Sequence, residues 1–143
     1  MTSDDNEWLG ATVQYEGYPM ALRVRPRATT TEHRARLQYL AALTQQLAHV
    51  RKDGLPEAAY NRSLFDLDLS VVAALEEDAS GLTVIVETFA GKRRYYAYVT
   101  DPARAEAALG KVRRDHPGHE LSLSGRPDPT WELYSEYERL FPW

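Results

Sequence analysis

The residues best suited to chemistry in this sequence are the aromatic and basic side chains of residues 92–99. This stretch reads KRRYYAYV, and in a β-strand its side chains would alternate between the two faces of a sheet. Arg94, Tyr96 and Tyr98 would then share one face, while Tyr95 would lie on the other. Tyrosine rings stack on planar groups, and neighbouring guanidinium groups contact phosphates. The chemistry that this pattern favours is binding.

Residues 94–99 also resemble the signature of RNA-recognition domains, which reads basic, glycine, aromatic, small, aromatic, valine, any residue, aromatic. Five of the seven specified positions match; Tyr95 replaces the glycine and Asp101 replaces the last aromatic. Phosphate contacts could come from nearby basic residues, namely Lys92, Arg93, Lys111, Arg113 and Arg114. The alternative is that Tyr96 and Tyr98 are covered by other parts of the chain. We favour that alternative because short motifs often match by chance.

A second aromatic pair, Trp131 and Tyr134, could also contact a partner, since exposed Trp and Tyr often supply much of the binding energy at interfaces. The pair follows Asp-Pro at 128–129, which predicts the start of a final helix over residues 129–141. The alternative, which we favour, is that both rings dock this helix on the core and hydrogen-bond at the surface. Trp143 is expected to be merely exposed.

The residue types that usually carry catalysis or bind metals form no recognisable motif. The chain has no cysteine, which excludes a disulfide scaffold, a thiolate metal site and a thiol nucleophile. His116 and His119 flank a turn, but no third ligand follows them, and a catalytic zinc site usually needs three. Asp66 and Asp68 are two apart and would point away from each other on a helix. No catalytic residue, metal or cofactor is predicted, although residues distant in sequence could still meet in a cleft.

Composition narrows the class of protein further. The 143 residues carry a net charge of −4, which argues weakly against nucleic acid as the main partner. The N-terminal residues are acidic where a signal peptide would be basic, and no apolar run approaches the roughly 18 residues of a membrane span. We therefore expect a cytoplasmic protein that does not contact the membrane. The usage of Arg, Ala, Asp and Leu is typical of bacteria.

The helices and strands that position the candidate binding residues can be predicted from hydrophobic periodicity and from the Gly and Pro residues that interrupt it. Alternation around Gly17 predicts a hairpin over residues 11–25, followed by a loop at 29–31. Residues 36–50 fit a helix and a strand equally well, so both remain open. A helix is predicted from Pro56 to Asp78.

The second half of the chain has clearer signals. Strong strands at 82–89 and 93–99 flank a turn at Ala90-Gly91-Lys92. Asp101-Pro102 predicts a helix N-terminus, and that helix stops near residue 116. A last strand follows at 119–124.

This order predicts one α+β domain over residues 1–143. If the open stretch is a strand, residues 36–124 form a ferredoxin-like split βαβ core. The N-terminal hairpin (11–25) and the C-terminal helix (129–141) are added to that core. A sheet of this kind carries helices on one face, so the other face needs a cover or a partner.

Several segments together resemble a known family, the bacterial proteins classified as domain of unknown function 695. They are Trp8, Tyr15-Glu16-Gly17-Tyr18-Pro19 with Arg23, Gly54-Leu55-Pro56, Arg94-Tyr95-Tyr96-Ala97-Tyr98 before Asp101-Pro102, and Pro127-Asp128-Pro129-Thr130-Trp131-Glu132-Leu133-Tyr134. The resemblance implies no catalytic residue. The chain is also similar, more distantly, to regulator of ribonuclease activity B, a ferredoxin-like protein that acts by binding an enzyme. That similarity implies that residues 36–43 form a strand.

Together these features favour a non-enzymatic protein-binding or regulatory domain of adaptor or inhibitor type. A single-stranded RNA-binding domain and an enzyme of unrecognised type are the alternatives. The first hypothesis predicts an exposed apolar patch of several hundred Å² or a homodimer that uses the same surface. The candidate binding residues are Arg94, Tyr96, Tyr98, Trp131 and Tyr134.

Overall fold

The computed structural model describes residues 7–141. Within them, the regular elements are β1 (Leu9–Tyr15), β2 (Tyr18–Val24), α1 (Thr31–Arg36), β3 (Tyr39–Gln46), α2 (Ala58–Ser63), α3 (Phe65–Leu75), β4 (Gly81–Phe89), β5 (Lys92–Val99), α4 (Pro102–Asp115), β6 (Glu120–Pro127) and α5 (Glu132–Glu138). None of the helices in this described part is long and apolar enough to cross a membrane.

The strands form one antiparallel sheet in the order β1-β2-β4-β5-β3-β6. The α+β class predicted from the sequence is confirmed. The tyrosine-rich strand β5 lies inside the sheet, hydrogen-bonded to β4 on one side and to β3 on the other. Its backbone is therefore fixed from both sides, and only its side chains face the layers above and below.

Two tight hairpins set the register of the strands. Glu16 and Gly17 connect β1 to β2, and both have positive φ, at 53° and 83°. Ala90 and Gly91 connect β4 to β5 with almost the same angles. Positive φ at both central residues is the type I′ geometry, whose twist matches that of the flanking strands, and glycine at the second position lowers its cost.

The two faces of the sheet have different covers. On one face, α3 and α4 pack over a core that includes Tyr95, Ala97 and Val99 of β5. On the opposite face, a second core joins Tyr98 to apolar residues of β2 and β4 and to the segment of α5. The face that was predicted to need a cover is thus partly covered by the chain's own C-terminal helix.

The ambiguous stretch proves to be a strand preceded by a short helix. β3 runs over Tyr39–Gln46 and pairs with β5 and β6 along its two edges. Ala41, Leu43 and Gln45 are buried on one face of this strand, whereas on its other face Leu40 is the one buried residue. The sequence hides the alternation in burial, because Leu40 is an apolar residue on the α5 side and the buried position 45 carries a polar glutamine. The predicted loop at 29–31 instead caps α1, because the Thr30 hydroxyl accepts a hydrogen bond from the His33 N–H at 3.0 Å.

The prediction of one continuous helix over 56–78 was wrong. Leu64, with ψ near 3°, interrupts it between α2 and α3, and the helix begins only after the Pro56 bridge to Val50. Its acidic end does not continue as α-helix but becomes a 3₁₀ turn at Glu77–Ala79, in which Asp78 has a left-handed backbone. Acidic side chains oppose the helix dipole at a C-terminus, which agrees with this early end.

Candidate functional site

The orientation of the tyrosine-rich strand follows the alternation of its sequence. Tyr96 and Tyr98 lie on the face opposite α3 and α4, whereas Tyr95 packs beneath those helices. Arg94 shares the face of Tyr96, where it bonds to Glu87 of β4. The structure therefore brings Arg94, Tyr96 and Tyr98 together along one side of β5, as the sequence predicted.

The outer end of this row is covered by the segment that leads into α5. The Trp131 ring lies 4.1 Å from the Tyr98 ring with the planes 6° apart. Trp131 donates from Nε1 to the Leu37 carbonyl at 2.8 Å. The Tyr134 hydroxyl donates to the Arg25 carbonyl and accepts from the Ala28 N–H. Tyr98, Trp131 and Tyr134 are all 0% exposed, so none of the three can touch a partner unless α5 moves.

Asp128 connects these aromatic residues to the start of α5. Its carboxylate accepts from the Tyr98 hydroxyl at 2.7 Å and from the N–H groups of Glu132 and Leu133 at 2.9 and 3.1 Å. Burial raises the pKa of this carboxyl, but the hydrogen bonds lower it by more, so the net pKa lies below its usual range. The helix starts at Glu132, three residues later than predicted, because Trp131 adopts a left-handed backbone with φ of 57°.

Beyond the end covered by Trp131, the same face opens into a cleft of about 640 Å³ between the hairpin and α5. We call this space the hairpin cleft. Its floor is formed by Glu87, Arg94 and Tyr96 on β4 and β5. Its two walls are formed by residues of the hairpin, of α5 and of the turn after α5, namely Val13, Tyr15, Met20, Tyr137 and Leu140.

A polar cluster lies at the centre of this floor. The buried Glu87 carboxylate accepts hydrogen bonds from the Tyr137 hydroxyl and from Arg94 Nη1, the latter at 3.1 Å. The Tyr96 and Tyr137 rings lie 5.9 Å apart. Burial, and then the negative charge of Glu87, raise the pKa of both tyrosines above the ordinary value near 10. Both hydroxyls stay protonated at neutral pH, so they act as hydrogen-bond donors and not as bases.

The rim of the hairpin cleft is apolar and exposed. Tyr15 is 52% exposed and Leu140 is 53% exposed, one on each wall. A smaller cavity of about 310 Å³ lies beside the cleft, between β6 and Leu133, and it shares Arg94 and Tyr96 with the larger one. Arg94 and Tyr96 therefore separate the two cavities, and each of them lines both.

Of the basic residues proposed for phosphate contacts, Lys92 lines the hairpin cleft, whereas Arg93 and those of α4 do not. Lys111, Arg113 and Arg114 lie on α4, which packs on the opposite face of the sheet. Arg113 also donates to the Leu121 carbonyl at 2.7 Å. The structure thus leaves Lys92 and Arg94 as the cations beside the Tyr96 ring and places the basic residues of α4 across the sheet.

The histidines take structural partners in different places. His33 Nδ1 lies 2.7 Å from the Ala28 carbonyl oxygen, and His116 Nε2 lies 2.7 Å from the Ser70 hydroxyl. Over residues 7–141, no group of three His, Cys, Asp or Glu side chains could hold a metal ion. Trp143 lies outside the described residues.

A family model described as a family of unknown function (DUF695) matches residues 6–138. The chain belongs to this family. The match extends from the segment before β1 to the last residue of α5, so it includes the hairpin wall of the cleft and Tyr137, and it ends two residues before Leu140. No curated protein and no solved structure is significantly similar to this DUF695 chain.

Two residues of the cleft in this DUF695 chain were missed by the sequence reasoning. Glu87 lies in a strand that reads as apolar, and Tyr137 reads as one of several core residues on α5. They are 50 residues apart and meet only because α5 folds back over the sheet. The one local signal was Glu87 itself, a charged residue in the otherwise uncharged run LTVIVETF, because a buried charge needs a partner.

Proposed function

We propose that this DUF695 domain is a non-enzymatic, regulatory protein-binding module of adaptor or inhibitor type, and that the hairpin cleft is its recognition surface. The observation that carries this proposal is the pair of exposed apolar walls around a fixed polar floor. Tyr15 and Leu140 form the walls, and Arg94, held by Glu87, forms the floor. Apolar anchors around a fixed hydrogen-bonding group are typical of protein recognition sites.

The occupant that fits this surface is a segment of a partner protein that inserts an apolar side chain between the walls. Lys92, which also lines the cleft, forms no ion pair within the described residues and could receive a carboxylate from such a segment. At neutral pH the hydroxyls of Tyr96 and Tyr137 are protonated, so neither can serve as a general base in the cleft. In this proposal Tyr98, Trp131 and Tyr134 support the site by holding α5, its outer wall.

We also propose that the core has the ferredoxin-like arrangement. The strands β4-β5-β3-β6 are adjacent in that order, and the crossover helices α3 and α4 lie on one face. We further infer a distant relationship to regulator of ribonuclease activity B, which acts by binding an enzyme, and this inference favours a regulatory role. Fold similarity alone does not fix a partner.

The proposal is tested by selecting peptides from a random-sequence display library on the full chain. Selected peptides should shift the amide resonances of Tyr15, Arg94 and Leu140 in NMR titrations. Leu140→Ser should weaken binding by about tenfold, because an apolar anchor typically contributes more than 1 kcal/mol. Leu69→Ser, which changes an equally exposed leucine of α3 on the opposite face, is the matched control and should leave affinity unchanged.

Two results would contradict this function. One is that no peptide is enriched over an unrelated domain. The other is that enriched peptides shift only residues outside the cleft. A second copy of the chain is the remaining occupant, and sedimentation equilibrium of the wild type and of Leu140→Ser distinguishes a dimer from a complex with another protein.

A further inference from the structure

A second concave surface lies on the opposite face of the sheet, where strand β2 approaches the start of α3. Its volume is about 690 Å³, within the roughly 300–1,000 Å³ of small-molecule sites. It shares no lining residue with the hairpin cleft. We call it the arginine pocket because three arginines line it, namely Arg23, Arg62 and Arg93.

The arginine pocket carries more positive than negative charge. Asp68 is the one carboxylate among its lining residues, and it already accepts hydrogen bonds from Arg23 at 2.5 Å and from the Tyr95 hydroxyl at 2.8 Å. Arg62 is exposed and forms no ion pair within residues 7–141. The whole chain has a net charge of −4, so this concentration of cations is local to the pocket.

Arg93 is fixed by groups that leave its charge uncompensated. Its Nε donates to the Thr88 hydroxyl at 2.9 Å, and its Nη2 donates to the Asn61 side-chain oxygen at 2.7 Å. Both acceptors are neutral. A guanidinium held in place by neutral acceptors is oriented in advance for an anion, because it loses little freedom when the anion binds.

An apolar surface lies beside these cations. The floor includes the buried side chains of Leu64 and Val86, and the Phe65 ring at the rim is 65% exposed. An exposed aromatic ring offers a face on which a planar ligand can stack. The pocket therefore combines an anion-binding side with an aromatic side.

We propose that the arginine pocket binds a small aromatic oxyanion, a molecule that carries a carboxylate or a phosphate on a planar ring system. The guanidinium groups of Arg93 and Arg62 bind the oxyanion, and the ring lies between Phe65 and the apolar floor. Guanidinium forks match carboxylate and phosphate oxygens equally well, so the shared chemistry is the oxyanion. This site is independent of the hairpin cleft and of its proposed function.

The test is isothermal titration calorimetry of the full chain with adenosine 5′-monophosphate and with indole-3-acetate. These two probes separate a phosphate from a carboxylate as the anionic group. Adenosine and inorganic phosphate, which each provide only half of the chemistry, are the ligand controls. We expect at least one of the two probes to bind, and to bind about tenfold or more tightly than either control.

Three variants locate the binding. Arg62→Gln and Phe65→Ser change exposed side chains and should keep the melting temperature of the wild type, yet each should weaken binding about five- to tenfold. Arg114→Gln, an exposed arginine on α4 outside the pocket, should leave affinity unchanged. The proposal is overturned if neither probe binds with a Kd below about 10 mM, or if Arg62→Gln and Phe65→Ser bind as tightly as the wild type.

Discussion

The indole of Trp131 lies face to face with the phenol ring of Tyr98, 4.1 Å between centroids, and this stack joins α5 to the central strand. It determines which part of the tyrosine row is available. Tyr98 is covered, whereas Tyr96, two residues earlier on the same face, remains half-buried in the hairpin cleft. Trp131 holds its position with a left-handed backbone, which costs a non-glycine residue about 1 kcal/mol.

Trp131→Ala should therefore lower the free energy of unfolding by about 3–5 kcal/mol, since it removes a fully buried aromatic side chain. Trp131→Phe should cost less, because an aromatic ring remains while the Leu37 carbonyl loses its donor. Urea unfolding followed by circular dichroism measures both. Leu140→Ala is the control on the same segment, and a loss below 1 kcal/mol for Trp131→Ala would contradict the anchoring role.

The Tyr98–Asp128 hydrogen bond should show strong coupling in a double-mutant cycle. Tyr98→Phe removes one donor from the buried carboxylate, with an expected cost of about 1–3 kcal/mol. Asp128→Asn also weakens the acceptor for two helix N–H groups, with a further cost of about 1 kcal/mol. The double variant should lose less than the sum of the two. Additive losses would mean that the bond contributes nothing of its own.

The same carboxylate should make stability depend on pH in the acidic range. The pKa of Asp128 is lower in the folded state than the value of about 3.9 of an unfolded chain. The contribution of the ionised Asp128 carboxylate to the free energy of unfolding is therefore present above pH 4, and it is lost as the pH falls through the folded-state pKa. The stability difference between wild type and Asp128→Asn should be constant from about pH 5 to 7 and shrink below about pH 4. A difference that grows on acidification would contradict this sign.

Local chemistry made part of the fold predictable. The Asp101 side chain accepts from the Arg104 N–H at 3.0 Å with Pro102 at the first helical position, as the sequence indicated. Both hairpins followed from glycine at their turns. β3 could not be assigned, because its more buried face carries the polar Gln45 and its other face carries the buried Leu40, so the apolar residues do not alternate. The break at Leu64 has no local signal, and Leu64 itself is buried in the core on the α3 and α4 side.

The residues of the hairpin cleft could be predicted from the sequence only where they follow from the alternation of side chains along a strand. Arg94 and Tyr96 follow from the period of a strand, and the structure places both on the cleft floor. Whether Tyr98 was open or covered depended on a residue 33 positions later, since Trp131 reaches it only through the fold. Hydrophobic periodicity and short motifs describe residues that are near each other in the sequence, so they cannot predict the contact between Tyr98 and Trp131.

Alkaline pH should unfold the domain through its buried tyrosines. Burial raises the pKa of Tyr134 to about 12, and the pKa values of Tyr95, Tyr96, Tyr98 and Tyr137 are raised as well. Since the unfolded value is about 10, the stabilisation is complete below pH 10 and is lost as the pH rises towards the folded values. Tyrosinate absorbance and loss of circular dichroism should rise together. Tyr134→Phe should flatten this dependence, and full tyrosinate formation in a folded chain would contradict it.

Single-stranded RNA should not bind by stacking on this face. The Tyr98 ring is occupied by Trp131, and the basic residues of α4 lie across the sheet. If Tyr96 stacked on a base, Tyr96→Ala would weaken RNA binding by about 1–3 kcal/mol. Because we expect no such stacking, Tyr96→Ala should leave any weak association with mixed RNA unchanged at low salt. Fluorescence anisotropy measures this. A loss of RNA affinity on Tyr96→Ala would revive the RNA-binding alternative.

Gln45 offers a test of how buried polar groups affect stability. Its side chain is 0% exposed, and neither atom of its amide has a hydrogen-bond partner among the described residues. Leaving such a group unpaired in a core costs about 1–3 kcal/mol, and methionine has a similar shape without polar hydrogens. Gln45→Met should therefore raise the free energy of unfolding by about 1 kcal/mol or more. Gln46→Met, at the exposed neighbouring position, should change it by less than about 0.5 kcal/mol. A loss of stability on Gln45→Met would show that the amide has a partner in solution, such as a buried water.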